Sequence, residues 1–450
     1  MEQVMTADAA ADAAAPTSRA AAAARTRAGI LAAASRLFVE RGFGAVSMRD
    51  IAAEAGLSHP GVIRHFASKD EILEVVVTEF SAITEAEIES RYGRAEDVRI
   101  FGDVARRNAA IDGYIPLFTT LAGEATSASH PAHVHFRERH AQLRARSSAM
   151  FRAAITAGDL PRDTDAVGET VRLSAAWDGL QLISLYLPDL VDIPAMLDRH
   201  LDGLRTGPGA GEAGGPGGLG PGASGPGTAG ASEASVVDRP SPAPFTPHAS
   251  PEPEAGYAPG RARRAQIVAD ASTLFARRGF HATSLREIAE HAGIGKSTLL
   301  HHFSSKDDLL AAVIAHRDAT IDERIAAEAG GTPSAFLHDI PRHARLNAEH
   351  EAGLIELYAV LSAEAAAPTH PGHEYFRARF ANAVEQFTEL FSLAVRPADA
   401  GFDPLFEAIW FIALWDGLQL QWLYDPETID VADHLEAHLA RFTRFAPPAE

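Results

Sequence analysis

The chain has no cysteine. That absence removes disulfides, thiolate nucleophiles and cysteine-ligated metals, and gives no reason to place the protein in an oxidising compartment. Long apolar runs are missing too. A membrane span needs about 20 such residues, and Trp410–Trp415 is far too short. The alanine-rich start carries Glu2, Asp8 and Asp12, not the basic-then-apolar layout of a secretory signal. A cytoplasmic protein with no membrane contact is expected. Basic residues are in deficit: 40 Lys and Arg against 60 Asp and Glu give a net charge of −20. Phosphate binding depends on a local basic face and not on the whole-chain balance. The acidic excess is therefore expected away from any such face, where it would suppress non-specific contact with nucleic acid. Strand-type alternation is not visible anywhere. The 450 residues, 46% of them hydrophobic, are enough for two or more cores.

What the chain does have is a duplication. SLREIAEHAGIGKSTLLHHFSSK at Ser284–Lys306 repeats SMRDIAAEAGLSHPGVIRHFASK at Ser47–Lys69, with each shared position displaced by 237 residues. Over Arg27–Phe80 against Arg264–Arg317 about half the positions are identical without a gap. SHPAHVHFRER at 129–139 recurs as THPGHEYFRAR at 369–379, and WDGLQL at 177–182 recurs at 415–420. A whole two-part unit is repeated. Between the copies, GPGAGEAGGPGGLGPGASGPG cannot bury a core and reads as a flexible linker, whose 54 or so residues span roughly 40 Å. The expected organisation is all-α: a disordered tail over 1–24; a helix-turn-helix domain over 25–80 with a helical body over 81–205; the linker over 206–260; and a second pair over 261–317 and 318–450.

Each 23-residue motif has the grammar of helix, tight turn and helix. Ser47 is a good N-cap, with Asp50 three residues on as a weak capping box. Gly293 suits the positive φ of the corner. Leu299, Leu300 and Phe303 give the second helix an apolar side. In such motifs the second helix enters the DNA major groove. A leading helix ending in Arg-Gly-Phe, then Ser-x-Arg-x-Ile-Ala-x-x-Ala-Gly, then His-Phe-x-Ser-Lys-Asp resembles the TetR family of bacterial transcriptional regulators. The resemblance is close over both motifs and loose over the helical remainder. It implies all-helical subunits that dimerise, read an operator in double-stranded DNA with their N-terminal domains, and hold a small effector in their C-terminal domains. No cofactor is expected. Two features depart from the family: there are two units in one chain, and Ile63 and Leu300 stand where the family usually has a phosphate-contacting tyrosine.

The positions expected to face DNA are Ser58, His59, Gly61 and Arg64 in the first unit and Lys296, Ser297, Thr298 and His301 in the second. Hydroxyls and cations at a helix N-terminus suit phosphate oxygens, and Arg or Lys can donate to guanine. Arg49, Arg286, His65, His302, Lys69 and Lys306 are expected at the backbone, with Arg25, Arg27, Arg261, Arg263 and Arg264 as arms at the groove edge. The scaffold is shared between units, yet Leu57–Arg64 and Ile294–His301 have no identical residue. The two heads are therefore expected to read unlike half-sites, unless one has drifted, and Pro60-Gly61 makes the first the candidate for drift. Gly-Ile-Gly-Lys-Ser-Thr at 293–298 is not a phosphate loop, because Glu290 stands where that loop needs glycine and no strand precedes it.

In the bodies, His130, His133, His370 and His373, with Glu124 and Glu364 nearby, admit metal, pocket or structural readings; the expectation is no metal. Trp177, Asp178 and Gln181, repeated as Trp415, Asp416 and Gln419, lie in nearly continuous apolar helices. They admit an effector pocket or a subunit interface, where Gly179 and Gly417 would allow close approach. The sequence thus reads as a DNA-binding regulator, a ligand-responsive repressor of unknown effector, paired within one chain as a pseudo-dimer on an imperfect palindrome or between chains as a homodimer. The alternative is an effector-binding or interaction module with degenerate DNA heads. No catalytic constellation stands out, and an enzyme is not expected.

Overall fold

The computed structural model describes residues 18–78, 97–206, 258–328, 332–395 and 402–442. Most of the expected tail and nearly all of the expected linker fall outside these described residues. Among them every regular element is a helix, and none is long and apolar enough to cross a membrane. The first unit comprises α1 (Ser18–Ala45), α2 (Met48–Glu54), α3 (His59–Ile63), α4 (69–78), α5 (Ile100–Ala110), α6 (Tyr114–Glu124), α7 (His133–Ala157), α8 (Ala166–Tyr186) and α9 (Ile193–Thr206). The second repeats the order as α10 (Ala258–Ala282), α11 (Leu285–His291), α12 (Lys296–His302), α13 (Lys306–Glu328), α14 (Pro333–His350), α15 (Ala352–Glu364), α16 (His373–Ala394), α17 (Pro404–Tyr424) and α18 (Val431–Leu439).

Local signals explain the heads. Ser47 with Asp50, and Ser284 with Glu287, form full capping boxes at the starts of α2 and α11, satisfying orphan N–H groups from both sides. Gly56 and Gly293 turn the corner at φ 67° and 65°. In each head three helices close on an apolar core: Ile30, Phe38, Ile51, Val62 and Phe66 in the first, Ile267, Phe275, Ile288, Leu299 and Phe303 in the second. Leu300 is not among them. It is 40% exposed, as Ile63 is at 47%, so the apolar side of the reading helix is narrower than its sequence implies. The leading helices begin earlier than expected, at Ser18 and Ala258; alanine and arginine carry the helical conformation into the composition-biased flanks.

The two units pack on each other through α8 and α17, with α6 against α15 and α1 against α10 beside them. Gly179 lies so close to Ala413 that a Cβ would fall 1.9 Å from the Ala413 carbonyl oxygen; Gly417 meets Ala175 in the same way, at 1.7 Å. Residues 175 and 179 correspond to 413 and 417, so the contact is reciprocal and antiparallel, as across a two-fold axis. Two phenols repeat the symmetry. Tyr186 donates to the carbonyl of Ser362, and Tyr424 to that of Ala122, each at 2.5 Å.

Candidate nucleic-acid interface and ligand cavities

The reading helices project from the heads with their polar residues outward. In α12, Lys296, Ser297, Thr298 and His301 are all exposed. Gly295 caps this helix without a side-chain bond, which leaves the first N–H groups facing out. In the shorter α3, Ser58 and Arg64 are exposed while His59 and Gly61 are partly covered. The Ser58 hydroxyl accepts from Gly61 N–H at 3.2 Å, so its oxygen caps the helix while its proton stays available to an acceptor. Arg49 and Arg286 are exposed on the preceding helices. Arg286 pairs with Glu290 at 2.7 Å, a surface contact worth little, and the aligned residue in the first head is Ala53.

The other expected backbone contacts are placed differently. The Lys69 ammonium donates to the Phe43 carbonyl at 2.6 Å and lies 4.0 Å from the Phe43 ring centroid. Lys306 donates to the carbonyls of Phe280 at 3.0 Å and Thr283 at 3.1 Å. Burial lowers the pKa of both lysines, against the pull of neighbouring acids. They brace the head from within and do not reach outward. Arg27 and Arg264 are likewise not loose arms. Each sits in its leading helix, donates to the carbonyl of His65 or His302 at 3.0 or 3.2 Å, and covers the ring of Phe66 or Phe303. They close the C-terminal end of the reading helix, where carbonyls lack partners. His65 and His302 are half-buried beneath them.

Behind each head the structure builds a joint. The leading helix bends at Gly42 and Gly279, where φ is 75° and 76°, and a carboxylate from the body occupies the space a side chain would fill. Glu124 at the end of α6 accepts from Phe43 N–H at 2.8 Å; Glu364 at the end of α15 accepts from Phe280 at 2.5 Å and His281 at 2.8 Å. The backbone of Phe43 or Phe280 is thus held at its N–H by the body and at its C=O by lysine. These carboxylates therefore do not line a pocket. Burial, with the neighbouring Glu364 charge, pushes the Glu124 pKa up to about 8; burial alone raises that of Glu364 to about 7.

The histidines beside them close the turn into α7 and α16. His130 Nδ1 accepts from Ala132 N–H at 3.2 Å and His370 Nδ1 from Gly372 N–H at 3.0 Å. His133 and His373 bond through Nδ1 to the Ala125 and Ala365 carbonyls at 2.8 and 2.9 Å. Ligand atoms of His281, Glu364 and His370 do lie within 4.8 Å of one another. However, an Nδ1 that accepts an N–H puts the proton of the neutral His370 ring on Nε2, which then has no lone pair for an ion. The first unit has Gly44 in place of His281. A capping role accounts for these residues. Burial holds the pKa of His130 at about 4 and that of His370 at about 3.

A buried carboxyl with a raised pKa binds its proton more tightly in the native state, so its contribution falls as pH rises from about 4.5 through 7–8. A histidine with a lowered pKa favours the native state less as pH falls below about 6.5. At the joint these oppose each other between about 4.5 and 6.5, and only the carboxyl effect remains above. Thermal melts should therefore lose stability from pH 6.5 to 8.5, by about 1 kcal/mol per pH unit for each proton released. Glu124→Gln, which keeps an acceptor for Phe43, should flatten that slope. An unchanged slope would contradict the assignment.

Each body carries a partly open cavity. In the first, of about 750 Å³ with its open mouth, Trp177, Asp178 and Gln181 line the wall with Arg139, His140 and Arg146. In the second, of about 870 Å³, Trp415, Asp416 and Gln419 do so with Arg317 and Arg379. Between them a space of about 470 Å³ shares Asp178 and Phe118 with the first cavity and Asp416, Tyr358 and Gln419 with the second. One helix in each unit thus packs its glycine face on the other unit and lines a cavity with its Trp-Asp-Gln face. Arg317, Asp318, Tyr358, Tyr375 and Arg379 are absent from the sequence reading. The available signal was the internal comparison, since the first unit has Phe80, Ser81, Phe118 and His135 at the first four of these positions.

Residues 30–76 and 267–313 each match the family profile described as bacterial regulatory proteins, tetR family. Similar curated proteins include the HTH-type transcriptional activator FasR of Mycolicibacterium smegmatis, 48% identical over 52 residues, which are 12% of this chain and 24% of that protein. The HTH-type transcriptional repressor KstR2 of Rhodococcus jostii is 44% identical over 52 residues, 12% of this chain and 26% of that protein. KstR2 of Mycolicibacterium smegmatis is 44% identical over the same length, 12% and 25% of the two chains. The chain spans about a quarter of the length of these relatives.

Proposed function

We propose that this chain, which carries two TetR-family DNA-binding domains, is a one-component transcriptional regulator acting in the cytoplasm as a ligand-responsive repressor. The proposed domains are the heads over 25–80 and 261–317 and the bodies over 81–205 and 318–450, with 206–260 as a linker. The two units would pair within one chain, through α8 and α17, and present unlike reading helices to an imperfect palindrome. One observation carries this reading: each reading helix is exposed while the backbone behind it is gripped by a glutamate from the cavity-bearing body. A ligand that shifts α6 or α15 would therefore move the head. No catalytic role is invoked.

The test is to select sites from fragmented genomic DNA with the purified protein and footprint the best one. A single protected site with unlike halves is expected, with affinity falling steeply with salt. Lys296→Ala should reduce the salt slope by about 1 if the ammonium meets phosphate. Lys296→Ala with His301→Ala should weaken protection of one half-site and Arg64→Ala that of the other. A perfect palindrome would point to chains pairing like with like. Absence of any specific site at moderate salt would favour the interaction-module reading, which the exposed apolar Ile63 and Leu300 keep open.

A further inference from the structure

At one end of the second cavity two guanidiniums, Arg317 and Arg379, share one paired carboxylate. Asp318 pairs with both Arg317, at 3.1 Å, and Arg379, at 3.2 Å, so one carboxylate serves two guanidiniums. The Tyr375 hydroxyl also donates to Asp318. Burial raises the pKa of Asp416, an acid lining this wall, to about 7, and its Oδ2 is buried without a hydrogen-bond partner. A buried cation without its counter-charge is costly. In addition, Arg317 Nε and Trp415 Nε1 are buried donors with no hydrogen-bond partner. Along α16 the lining runs from Arg379 to Phe387, about 12 Å apart at a rise of about 1.5 Å per residue. Phe336, Ile340 and Ile412 add to the apolar wall. The cavity is therefore graded, with an arginine-rich end and a hydrocarbon end.

We infer that the second cavity, and not the first, binds an amphipathic monocarboxylate, its acid group accepting from Arg317 Nε and Trp415 Nε1 and its apolar body lying against Phe336, Ile340 and Phe387. This rests on reading the cavities as effector sites, and it adds the chemical class of the effector and the unit that takes it. The internal comparison supplies the contrast. The first unit has Phe80 where the second has Arg317 and Phe118 where it has Tyr358. Its own acid, Asp178, is engaged by Gln421 at 3.0 Å and faces His140 at 3.4 Å. The first cavity holds Arg139, Arg146 and His140, whose ring nitrogens are buried without hydrogen-bond partners, but it has no arginine at the position of Arg317.

The experiment is calorimetric titration of the full-length protein with octanoate, 1-octanol and octylamine, which share one body and differ in head group. Octanoate should bind at one equivalent per chain, at least tenfold tighter than the alcohol, with the amine weakest. Arg317→Gln should bring octanoate down to the level of the alcohol, and Trp177→Leu in the first cavity should change nothing. Should Arg317→Gln fail to fold, Ala383→Trp, which fills the cavity, should abolish octanoate binding while helicity is kept. Equal binding of acid and alcohol, two equivalents of octanoate, or full acid preference in Arg317→Gln would overturn the assignment. The titration contains no DNA, so its failure leaves the operator-binding reading standing, and loss of operator binding leaves this one standing.

Discussion

Gly417→Val should be among the most damaging single substitutions in the chain, lowering the melting temperature by roughly 10 °C and abolishing specific DNA binding. A Cβ at this position would fall 1.7 Å from the Ala175 carbonyl oxygen and 2.5 Å from its carbonyl carbon. Backbone cannot step aside as a flexible side chain can, so α8 and α17 would have to separate. Overpacking of this kind costs about 1–3 kcal/mol or more, and a loss near the upper end corresponds to several degrees in a domain of this size. The larger consequence is geometric. Both cavities and the pairs Tyr186–Ser362 and Tyr424–Ala122 are arranged about this contact, so separating the helices would change the spacing of the heads. Gly353→Ala is the control, since nothing lies within 4 Å of its added methyl; it should be neutral or stabilising by up to about 1 kcal/mol. Melting followed by circular dichroism and a footprint on the selected site would check both. If Gly417→Val left stability and footprint intact, the two units would not depend on this face for pairing.

Glu364→Ala should separate head from body in the second unit. It strands the buried N–H of Phe280 and the partly buried N–H of His281, at a cost of about 1–3 kcal/mol for the first and less for the second. It also removes the negative charge that favours the Lys306 ammonium. Glu124→Ala strands only the Phe43 N–H and should cost less. The expected result is two separable effects. Stability falls by about 2–5 kcal/mol, and the half-site read by α12 loses protection while the half read by α3 retains it. Hydrogen exchange at Phe280 and His281 is the direct measurement. Slow exchange persisting in Glu364→Ala would show that the carboxylate is not what holds the turn.

Much of this was legible in the sequence, because it depended on contacts within a few residues. The capping boxes at Ser47 and Ser284, the positive-φ corners at Gly56 and Gly293, and the helical period of Ile30, Ala34 and Phe38 are local devices. Their duplication gave the all-α tandem architecture, and the lack of identity across Leu57–Arg64 and Ile294–His301 singled out the positions proposed to face DNA. What the chain could not reveal was where a long side chain ends. Lys69 and Lys306 look like phosphate contacts by position, but an ammonium on a four-carbon stem reaches inward once Phe43 and Phe280 offer a carbonyl and a ring. Glu124 and Glu364 look like pocket or metal acids beside histidines. Only the meeting of α6 with the bend at Gly42, and of α15 with the bend at Gly279, made them the bolts of a joint. Arg317 and Arg379 lie 62 residues apart in the sequence and share Asp318 only because the fold brings that part of α13 beside α16. Local pattern set the helices and the duplication; the charge of the cavities, the two-fold contact at Gly179 and Gly417, and the coupling of head to body were settled by tertiary packing, which brings distant polar atoms into low-dielectric space where each must find a partner.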